Sequence, residues 1–135
     1  MIHTIEVSVK GQGLHDITPR VTAVVNSAGW REGLCTLYIQ HTSASLLVQE
    51  NHDPSARRDL EAWLNRLVPE HDPLYTHTLE GADDMPAHIK AALTASSLAI
   101  PVIEHRLALG AWQGVFLWEH RRHRGRRKVL LHLGA

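Results

Sequence analysis

Residues 41–54 read His-Thr-Ser-Ala-Ser-Leu-Leu-Val-Gln-Glu-Asn-His-Asp-Pro, and this stretch contains two structural signals. In its first half, Ala44, Leu46 and Val48 alternate with mainly polar residues, which predicts a half-buried strand. The pair Asp53-Pro54 then predicts a helix start, with aspartate as the N-cap and proline in the first turn. A strand with one polar face that leads into a helix indicates a mixed α and β architecture.

The same patterns predict the remaining elements. Alternation and short apolar runs predict further strands at 2–9, 34–41, 97–103, 111–119 and 128–133. Helical spacing predicts helices at 17–28, 54–68 and 84–95. Asp16 is the predicted N-cap of the first helix and Gly29 its stop, and 69–83 is predicted to be a long loop with a brief strand at 75–79. This order of elements predicts an α+β fold with an antiparallel sheet or sandwich.

Two of these helices have predicted buried faces. In the second helix the apolar stripe consists of Ala56, Leu60, Trp63, Leu64 and Leu67. In the third helix it consists of Met85, Ile89, Ala92 and Leu93. Both helices are therefore expected to pack on the sheets through these side chains.

Length and composition indicate a single globular domain that covers residues 1–135. The N-terminus lacks the pattern of a secretory signal, and no apolar run reaches the ~20 residues of a membrane helix, so we expect a cytoplasmic protein without a membrane partner. Cys35 is the only cysteine, which excludes a disulfide and a cysteine-based zinc cluster within one chain. We expect Cys35 to be a buried strand residue and not a nucleophile.

Charge is balanced overall, with 14 basic and 14 acidic residues, but it is segregated along the chain. Between positions 50 and 84 there are nine acids and three arginines, whereas positions 106–128 contain seven basic residues and Glu119 alone. These segments can face each other within a subunit or across an interface. The basic run at 121–128 could contact phosphates, but Gly125 lies between two strands, so a solvated hairpin tip is the favoured interpretation and nucleic acid is not an expected partner.

Three of the eleven histidines stand out. His41, His77 and His88 each lie among small polar or acidic neighbours at the edge of a predicted element, whereas the others fit surface or packing positions. Three imidazoles with an open fourth position are typical of catalytic zinc, although spacing alone also allows a structural role. Asp84 precedes His88 by four residues on a helix, where it either orients the histidine or caps the helix.

Glu119 is predicted to share a strand face with Gln113, Val115 and Leu117. A buried glutamate needs a partner, which the arginines that follow it can provide. The alternative is an exposed strand face with a structural salt bridge.

Four motifs carry a family resemblance: His41-Thr-Ser-Ala-Ser-Leu46, Glu50-Asn51 with Asp53-Pro54, the segment 80–90 (Glu-Gly-Ala-Asp-Asp-Met-Pro-Ala-His-Ile-Lys), and Leu109-Gly-Ala-Trp-Gln-Gly114. In this order and spacing they resemble the YjbQ-like family, whose members are labelled secondary thiamine-phosphate synthases. The resemblance covers nearly the whole chain. It implies an α+β YjbQ-like fold with antiparallel sheets packed as a sandwich, two or three helices, a homotrimer, and a polar small-molecule pocket near the subunit interface.

The resemblance also implies a set of site residues. The residues expected to act in catalysis are His41, Ser43, Glu50, Asp84 and Glu119. Those expected to bind substrate are Ser45, Asn51, Asp59 and Gln113. The expected metal ligands are His41, His77 and His88.

The reaction implied by the family label joins a pyrimidine methyl diphosphate to a thiazole phosphate, forming thiamine phosphate and diphosphate. A divalent metal or arginines can stabilise the departing diphosphate. Because the expected ligands are nitrogen-rich, zinc or another transition metal is favoured over magnesium. Two alternatives stay open: a metal-dependent hydrolase of a phosphorylated or acylated metabolite, and a non-catalytic metabolite-binding protein.

Overall fold

A computed structural model describes residues 1–134 of the chain. The elements in this part, in chain order, are β1 (Ile2–Lys10), β2 (Gly13–Asp16), α1 (Thr18–Ala28), β3 (Glu32–Ile39), β4 (Ala44–Glu50), α2 (Pro54–Leu67), α3 (Asp84–Leu93), β5 (Ser97–Ile103), β6 (Arg106–Leu107), β7 (Gln113–Glu119) and β8 (Arg124–Gly134).

The strands form two antiparallel sheets. The first sheet has five strands in the order β1-β8-β3-β5-β6, and the second has three strands in the order β2-β7-β4. Neighbouring strands pair antiparallel in both sheets. The predicted α+β fold with antiparallel sheets is confirmed.

The main hydrophobic core lies between the two sheets. Ile5 of β1 and Leu37 of β3 belong to the same buried cluster as Leu46 of β4 and Val115 of β7, and Val21 of α1 closes it. Successive side chains of a strand point to opposite faces, so each strand gives this core every second residue. Burial of these apolar side chains is the main force that holds the sheets together.

A second core covers the other face of the three-stranded sheet. Phe116 and Trp118 of β7 pack there with Leu64 and with Val68, which follows α2. Because Val115 and Leu117 face the first core, both faces of β7 are buried. The central strand of this sheet is therefore fixed on both sides, and its last residue, Glu119, is fully buried.

The helix caps agree only partly with the sequence prediction. Asp53 caps α2 by accepting a hydrogen bond from the Ser55 backbone N–H at 2.9 Å, as predicted. Gly29 ends α1 in the left-handed conformation, with φ of 72°. The prediction of Asp16 as the α1 N-cap is wrong by one residue: Ile17 holds that position, and Asp16 accepts from the Thr18 N–H just before the helix.

The predicted buried faces of α2 and α3 are partly wrong. Trp63, Leu67 and Leu93 are 53%, 53% and 58% exposed, and Leu64 is the buried residue of α2. On α3 the buried residues are Asp84, Pro86, Ala87 and Lys90. The reason is that α2 and α3 lie on the outside of the three-stranded sheet, and that α3 turns polar residues toward the loops at the end of the sandwich.

Several boundaries also differ from the prediction. β2 and β6 were not predicted, since they have four and two residues and too little sequence pattern. The brief strand predicted at 75–79 is absent, because residues 68–83 form turns and irregular structure between α2 and α3. Cys35 is fully buried in β3, as predicted, and burial raises the pKa of its thiol to about 11. Among residues 1–134, no helix is long and apolar enough to cross a membrane.

Candidate functional site

Three connections meet at one end of the sandwich. They are the β3–β4 loop around Thr42, the β7–β8 loop around Arg121, and the segment between α2 and α3 that leads into Asp84. The His88 Nδ1 atom lies 3.0 Å from the Thr42 carbonyl oxygen, and the Arg121 guanidinium contacts both Asp83 and Asp84. Side chains distant in sequence are thereby brought into one polar cluster.

The centre of this cluster is the Asp84 carboxylate between two imidazoles. Its Oδ2 atom lies 2.7 Å from His77 Nε2 and 3.0 Å from His88 Nε2. The three donor atoms lie within 4.8 Å of one another. The Asp84 side chain is 8% exposed, whereas those of His77 and His88 are 48% and 32% exposed, so the two imidazoles border solvent.

Ionised Asp84 is favoured by its neighbours. Burial of the carboxyl opposes ionisation, but the hydrogen bond with His77 and the charges of His88 and Arg121 hold the pKa of Asp84 below its usual range. Asp84 is therefore an anion in this cluster at neutral pH. An anionic oxygen next to two imidazole nitrogens is a donor set for a divalent transition metal.

The two ring nitrogens of His88 both face acceptors. Nδ1 lies against the Thr42 carbonyl, and Nε2 lies against the Asp84 carboxylate. A neutral imidazole has one N–H, so it satisfies only one of these contacts. Either a second proton or a metal ion at Nε2 resolves the conflict. The hydrogen-bond conflict does not distinguish these two solutions, and the spacing of the three donor atoms is one that can hold a metal ion.

This geometry bears on the role expected of Asp84. The Thr42 carbonyl accepts from His88 Nδ1–H and so orients the ring, which is the usual task of a partner behind a metal-binding histidine. Asp84 lies on the Nε2 side, where a metal ion would bind. Asp84 thus pairs with His88 as the helical spacing predicts, and it does so at the ring nitrogen opposite the Thr42 contact.

His41 is not one of the three residues of the His77–Asp84–His88 cluster, although it lines an open cleft with His88, and its role as a metal ligand stays a prediction. Its Nε2 accepts from the Lys128 backbone N–H at 2.8 Å, and its Nδ1 lies 3.2 Å from Arg127 Nη1. Burial and the Arg127 charge lower the pKa of His41. A neutral imidazole has one lone pair available for hydrogen bonding, and in His41 the Nε2 lone pair is used by the Lys128 N–H, so none is left for the cluster. His41 instead lines an open cleft of about 500 Å³ together with Arg127 and Ser43.

Glu119 and Arg127 form a buried bidentate ion pair. Arg127 Nε donates to Glu119 Oε1 and Arg127 Nη2 to Glu119 Oε2, both at 2.6 Å. Arg127 Nη2 also donates to Ser43 Oγ at 2.9 Å. The partner that the sequence required for a buried Glu119 is thus Arg127. The pair joins β7 of one sheet to β8 of the other, so Glu119 has a structural contact at the edge of the site.

Ser45 is paired with a histidine that the sequence did not single out. Ser45 Oγ lies 2.8 Å from His120 Nε2, and both residues are almost fully buried. His120 Nδ1 has no hydrogen-bond partner within residues 1–134. Burial, with a smaller contribution from Lys90, lowers the pKa of His120 to about 3, so the ring is neutral. The available signal was the position of His120 directly after a buried glutamate at a strand end.

The other predicted site residues lie elsewhere in this subunit. Glu50 pairs with Gln113 at one end of the β4–β7 ladder, whereas Ala44 pairs with Glu119 at the other end. Six residues of strand separate the two ends, about 20 Å. Asn51 follows Glu50, and Asp59 is exposed on α2. Within one chain the strands carry these residues to opposite ends, so a pocket that includes all of them at a subunit interface stays a prediction.

The acidic and basic segments meet within the chain. Arg121 contacts Asp83 and Asp84, and Arg122 pairs with Glu70. Of the two possibilities that the sequence left open, the contact within a subunit is present. These arginines are neutralised by their own carboxylates, which leaves less charge in the 121–128 run for phosphate groups.

The fold and the cluster define an α+β sandwich protein with a histidine–aspartate site at one end. Residues 3–135 match the model of the family described as UPF0047 protein YjbQ-like. The chain is 49% identical to UPF0047 protein sll1880 of Synechocystis over 96% of this chain and 88% of that protein. It is 42% identical to UPF0047 protein YjbQ of Escherichia coli O157:H7, over 94% and 92% of the two chains.

Solved structures show the same fold. A conserved hypothetical protein from Thermus thermophilus superimposes with a TM-score of 0.88 at 37% identity, covering 98% of this chain and 99% of that one. A YjbQ/UPF0047 protein from Clostridium acetobutylicum gives a TM-score of 0.85 at 32% identity, covering 99% of each chain. The chain belongs to the YjbQ-like family.

We predict that Arg127→Met destabilises the fold by about 3–5 kcal/mol, because it leaves Glu119 buried without a partner. The matched control is Arg126→Met, which removes the neighbouring Arg126–Glu6 pair, where both side chains are exposed. An exposed pair of this kind contributes at most about 1 kcal/mol. Urea unfolding of the three proteins measures the difference. Equal losses in the two variants would show that the buried pair has no special structural weight.

Proposed function

We propose that this chain is a cytoplasmic, metal-dependent enzyme that acts on a phosphorylated small molecule, with His77, Asp84 and His88 as the metal ligands. The observation that carries the proposal is the convergence of two imidazole nitrogens and one anionic carboxylate oxygen at a solvent-bordering position. Two histidines and one carboxylate leave coordination positions open for substrate, as in catalytic zinc sites.

The donor set also bears on metal identity. Magnesium prefers oxygen ligands in octahedral geometry, whereas imidazole nitrogen suits zinc and other first-row transition metals. With two nitrogens and one oxygen, the cluster supports the proposal of zinc or another transition metal over magnesium. A bound divalent ion would supply Lewis-acid stabilisation of negative charge on a phosphate oxygen.

The protein's own residues would support such chemistry in distinct ways. The Thr42 carbonyl fixes the His88 ring, and Arg121 holds Asp84 through the second carboxylate oxygen, with Nη1 to Oδ1 at 3.3 Å. Arg121 thus contacts the Oδ1 atom of Asp84, and the Oδ2 atom points toward the two histidines. Ordered ligands of this kind reduce the cost of assembling the site when substrate binds.

As the reaction we propose the one implied by the family label, transfer of a pyrimidine methyl group from diphosphate to a thiazole phosphate. The bond between the methylene carbon and the diphosphate oxygen breaks, and a bond from that carbon to the thiazole nitrogen forms. The proposed metal site would stabilise the leaving diphosphate. Hydrolysis of a phosphorylated or acylated metabolite, and binding without turnover, are the alternatives that the experiments below distinguish.

We predict that the protein purified with Zn²⁺ retains one ion per chain and that His77→Ala and His88→Ala each lose it, because each variant removes one of three donor atoms. Loss of a residue that only hydrogen-bonds a metal ligand typically weakens metal binding roughly 10 to 100-fold. Asp84→Asn should weaken Zn²⁺ binding by more than this, because it changes a ligand itself. Elemental analysis after gel filtration gives the metal content.

The matched control for this measurement is His41→Ala, which removes a histidine at the same end of the sandwich but outside the cluster. It should keep its metal. If His41→Ala lost the ion while His77→Ala retained it, the proposed ligand set would be refuted. Circular dichroism of each variant confirms that the comparison is made between folded proteins.

We predict that wild-type protein forms thiamine phosphate from the two proposed substrates, that a chelator abolishes this turnover, and that Zn²⁺ or another transition metal restores it. Product and released diphosphate are measured by chromatography. Release of inorganic phosphate from either substrate alone would favour the hydrolase. Saturable substrate binding without any turnover, with or without metal, would leave a binding protein.

We also propose self-association as a homotrimer, as the family resemblance implies. Support comes from the outer face of the five-stranded sheet, where Leu34, Tyr38 and Ile103 are 43%, 50% and 53% exposed on β3 and β5. Adjacent exposed apolar side chains on a sheet are typical of a surface that is covered in an assembly. Self-association could also bring the Glu50 end of one chain near the Asp84 end of another.

We predict that light scattering gives three times the 15.1 kDa mass of one chain. Leu34→Lys should shift the protein toward monomer, because it places a charge on the apolar sheet face. Ser8→Lys, on the outer face of β1, is the control and should stay trimeric. A wild-type mass equal to that of one chain would refute the trimer.

A further inference from the structure

A second polar pocket lies on the far side of α3 from the histidine cluster. It is a cavity of about 160 Å³ between α2, α3 and the turn that joins β1 to β2. Lys90 lines it and follows His88 by two residues, which turns its side chain by roughly 200° around the helix. The pocket is therefore distinct from the proposed metal site.

Lys90 is a buried cation without a carboxylate partner in the part of the chain that the structure describes. The residue is 3% exposed, and its Nζ donates to Asn65 Oδ1 at 2.5 Å. Within residues 1–134, no carboxylate lies within 4 Å of Nζ. A buried ammonium with one amide acceptor lacks the compensation that buried charges normally have.

The nearby acids are already engaged. Glu70 pairs with Arg122, and Asp83 pairs with Arg121. Both of these carboxylates are thus engaged by arginines, and neither lies within 4 Å of Lys90 Nζ.

The surrounding amides form an ordered chain that ends at the lysine. Gln12 Nε2 donates to the His120 carbonyl oxygen at 3.0 Å, and Asn65 Nδ2 donates to Gln12 Oε1 at 3.3 Å. These contacts turn Asn65 Oδ1 toward Lys90. The ammonium is thus held in position. Asn65 accepts from one of its three N–H groups, and residues 1–134 offer no acceptor to the other two.

The other walls define what could fit. Leu64 and Trp118 supply apolar surface, and neutral His120 adds no charge. Glu61 also lines the cavity, where its carboxylate accepts from the Leu14 N–H at 2.7 Å. Because this carboxylate lies in the same cavity as Lys90, a dianion would meet about twice the repulsion that a monoanion meets. A cavity of roughly 150 Å³ holds a molecule of about six non-hydrogen atoms.

We propose that this pocket binds a small monocarboxylate, whose oxygens accept hydrogen bonds from the free N–H groups of Lys90. The anion supplies the direct ion pair that no carboxylate of residues 1–134 makes with Lys90 within 4 Å, and its short apolar tail packs on Leu64 and Trp118. A dianion such as phosphate is disfavoured by Glu61. The site does not depend on the proposed metal or reaction.

The test is a titration of the protein labelled with ¹⁵N-lysine, followed by NMR of the side-chain amines. The chain has three lysines, so Lys10 and Lys128 serve as internal references. Acetate and propionate, added at constant ionic strength with chloride, should shift the Lys90 Nζ signal in a saturable way and leave the other two in place. Acetamide, the neutral isostere of acetate, should bind roughly tenfold or more weakly, because it lacks the charge.

Lys90→Met should abolish the carboxylate-dependent rise in melting temperature, whereas Lys10→Met should keep it. If Lys90→Met does not fold, the wild-type NMR titration decides the question. An unshifted Lys90 signal at saturating acetate, or equal responses to acetate and acetamide, would overturn the proposal and leave a cavity that holds water only.

Discussion

Glu119 and Arg127 form their two hydrogen bonds where the last residue of β7 meets β8, with both side chains buried between the sheets. Removal of either side chain would leave the other charge buried without compensation in a low-dielectric environment. The ion pair therefore holds the two strands together. The same arginine donates to Ser43 and contacts His41, which fixes the start of β4 and the loop before it. The polar end of the sandwich is consequently built around this ion pair.

The histidine cluster depends on the loops that this ion pair anchors. Thr42 precedes Ser43 and presents its carbonyl to His88, while Arg121 lies two residues after Glu119 and reaches Asp83 and Asp84. The Arg121 backbone N–H also donates to Glu119 Oε2 at 3.1 Å. Two loops, each of which connects one sheet to the other, thus hold α3 by its first turns, and Asp84 and His88 acquire their positions from contacts distant in sequence. His77 joins them from an irregular segment that no periodic pattern describes.

Local sequence pattern is sufficient to predict the fold class and the long elements. The alternation in β1 and β4 and the Asp53-Pro54 start of α2 depend only on residues that are neighbours in the sequence. Local pattern is insufficient where burial depends on the packing of whole layers. Trp63 and Leu93 occupy helical positions that suit a core, yet α2 and α3 lie at the periphery and leave them exposed. In the site, the pairing of Asp84 with His88 follows from helical spacing. By contrast, the contacts of His41 with β8 and the separation of Glu50 from Glu119 follow from strand register, which the sequence does not display. The place of His77 in the cluster depends on an irregular segment, which no local pattern predicts.

The proposal that His77, Asp84 and His88 together hold one transition-metal ion is tested by anomalous diffraction at the zinc edge from crystals grown with one equivalent of Zn²⁺ per chain. We expect one peak, about 2.0–2.2 Å from His77 Nε2, His88 Nε2 and an Asp84 oxygen. A peak bound to His41, or no peak at these three residues in zinc-saturated crystals, would contradict it.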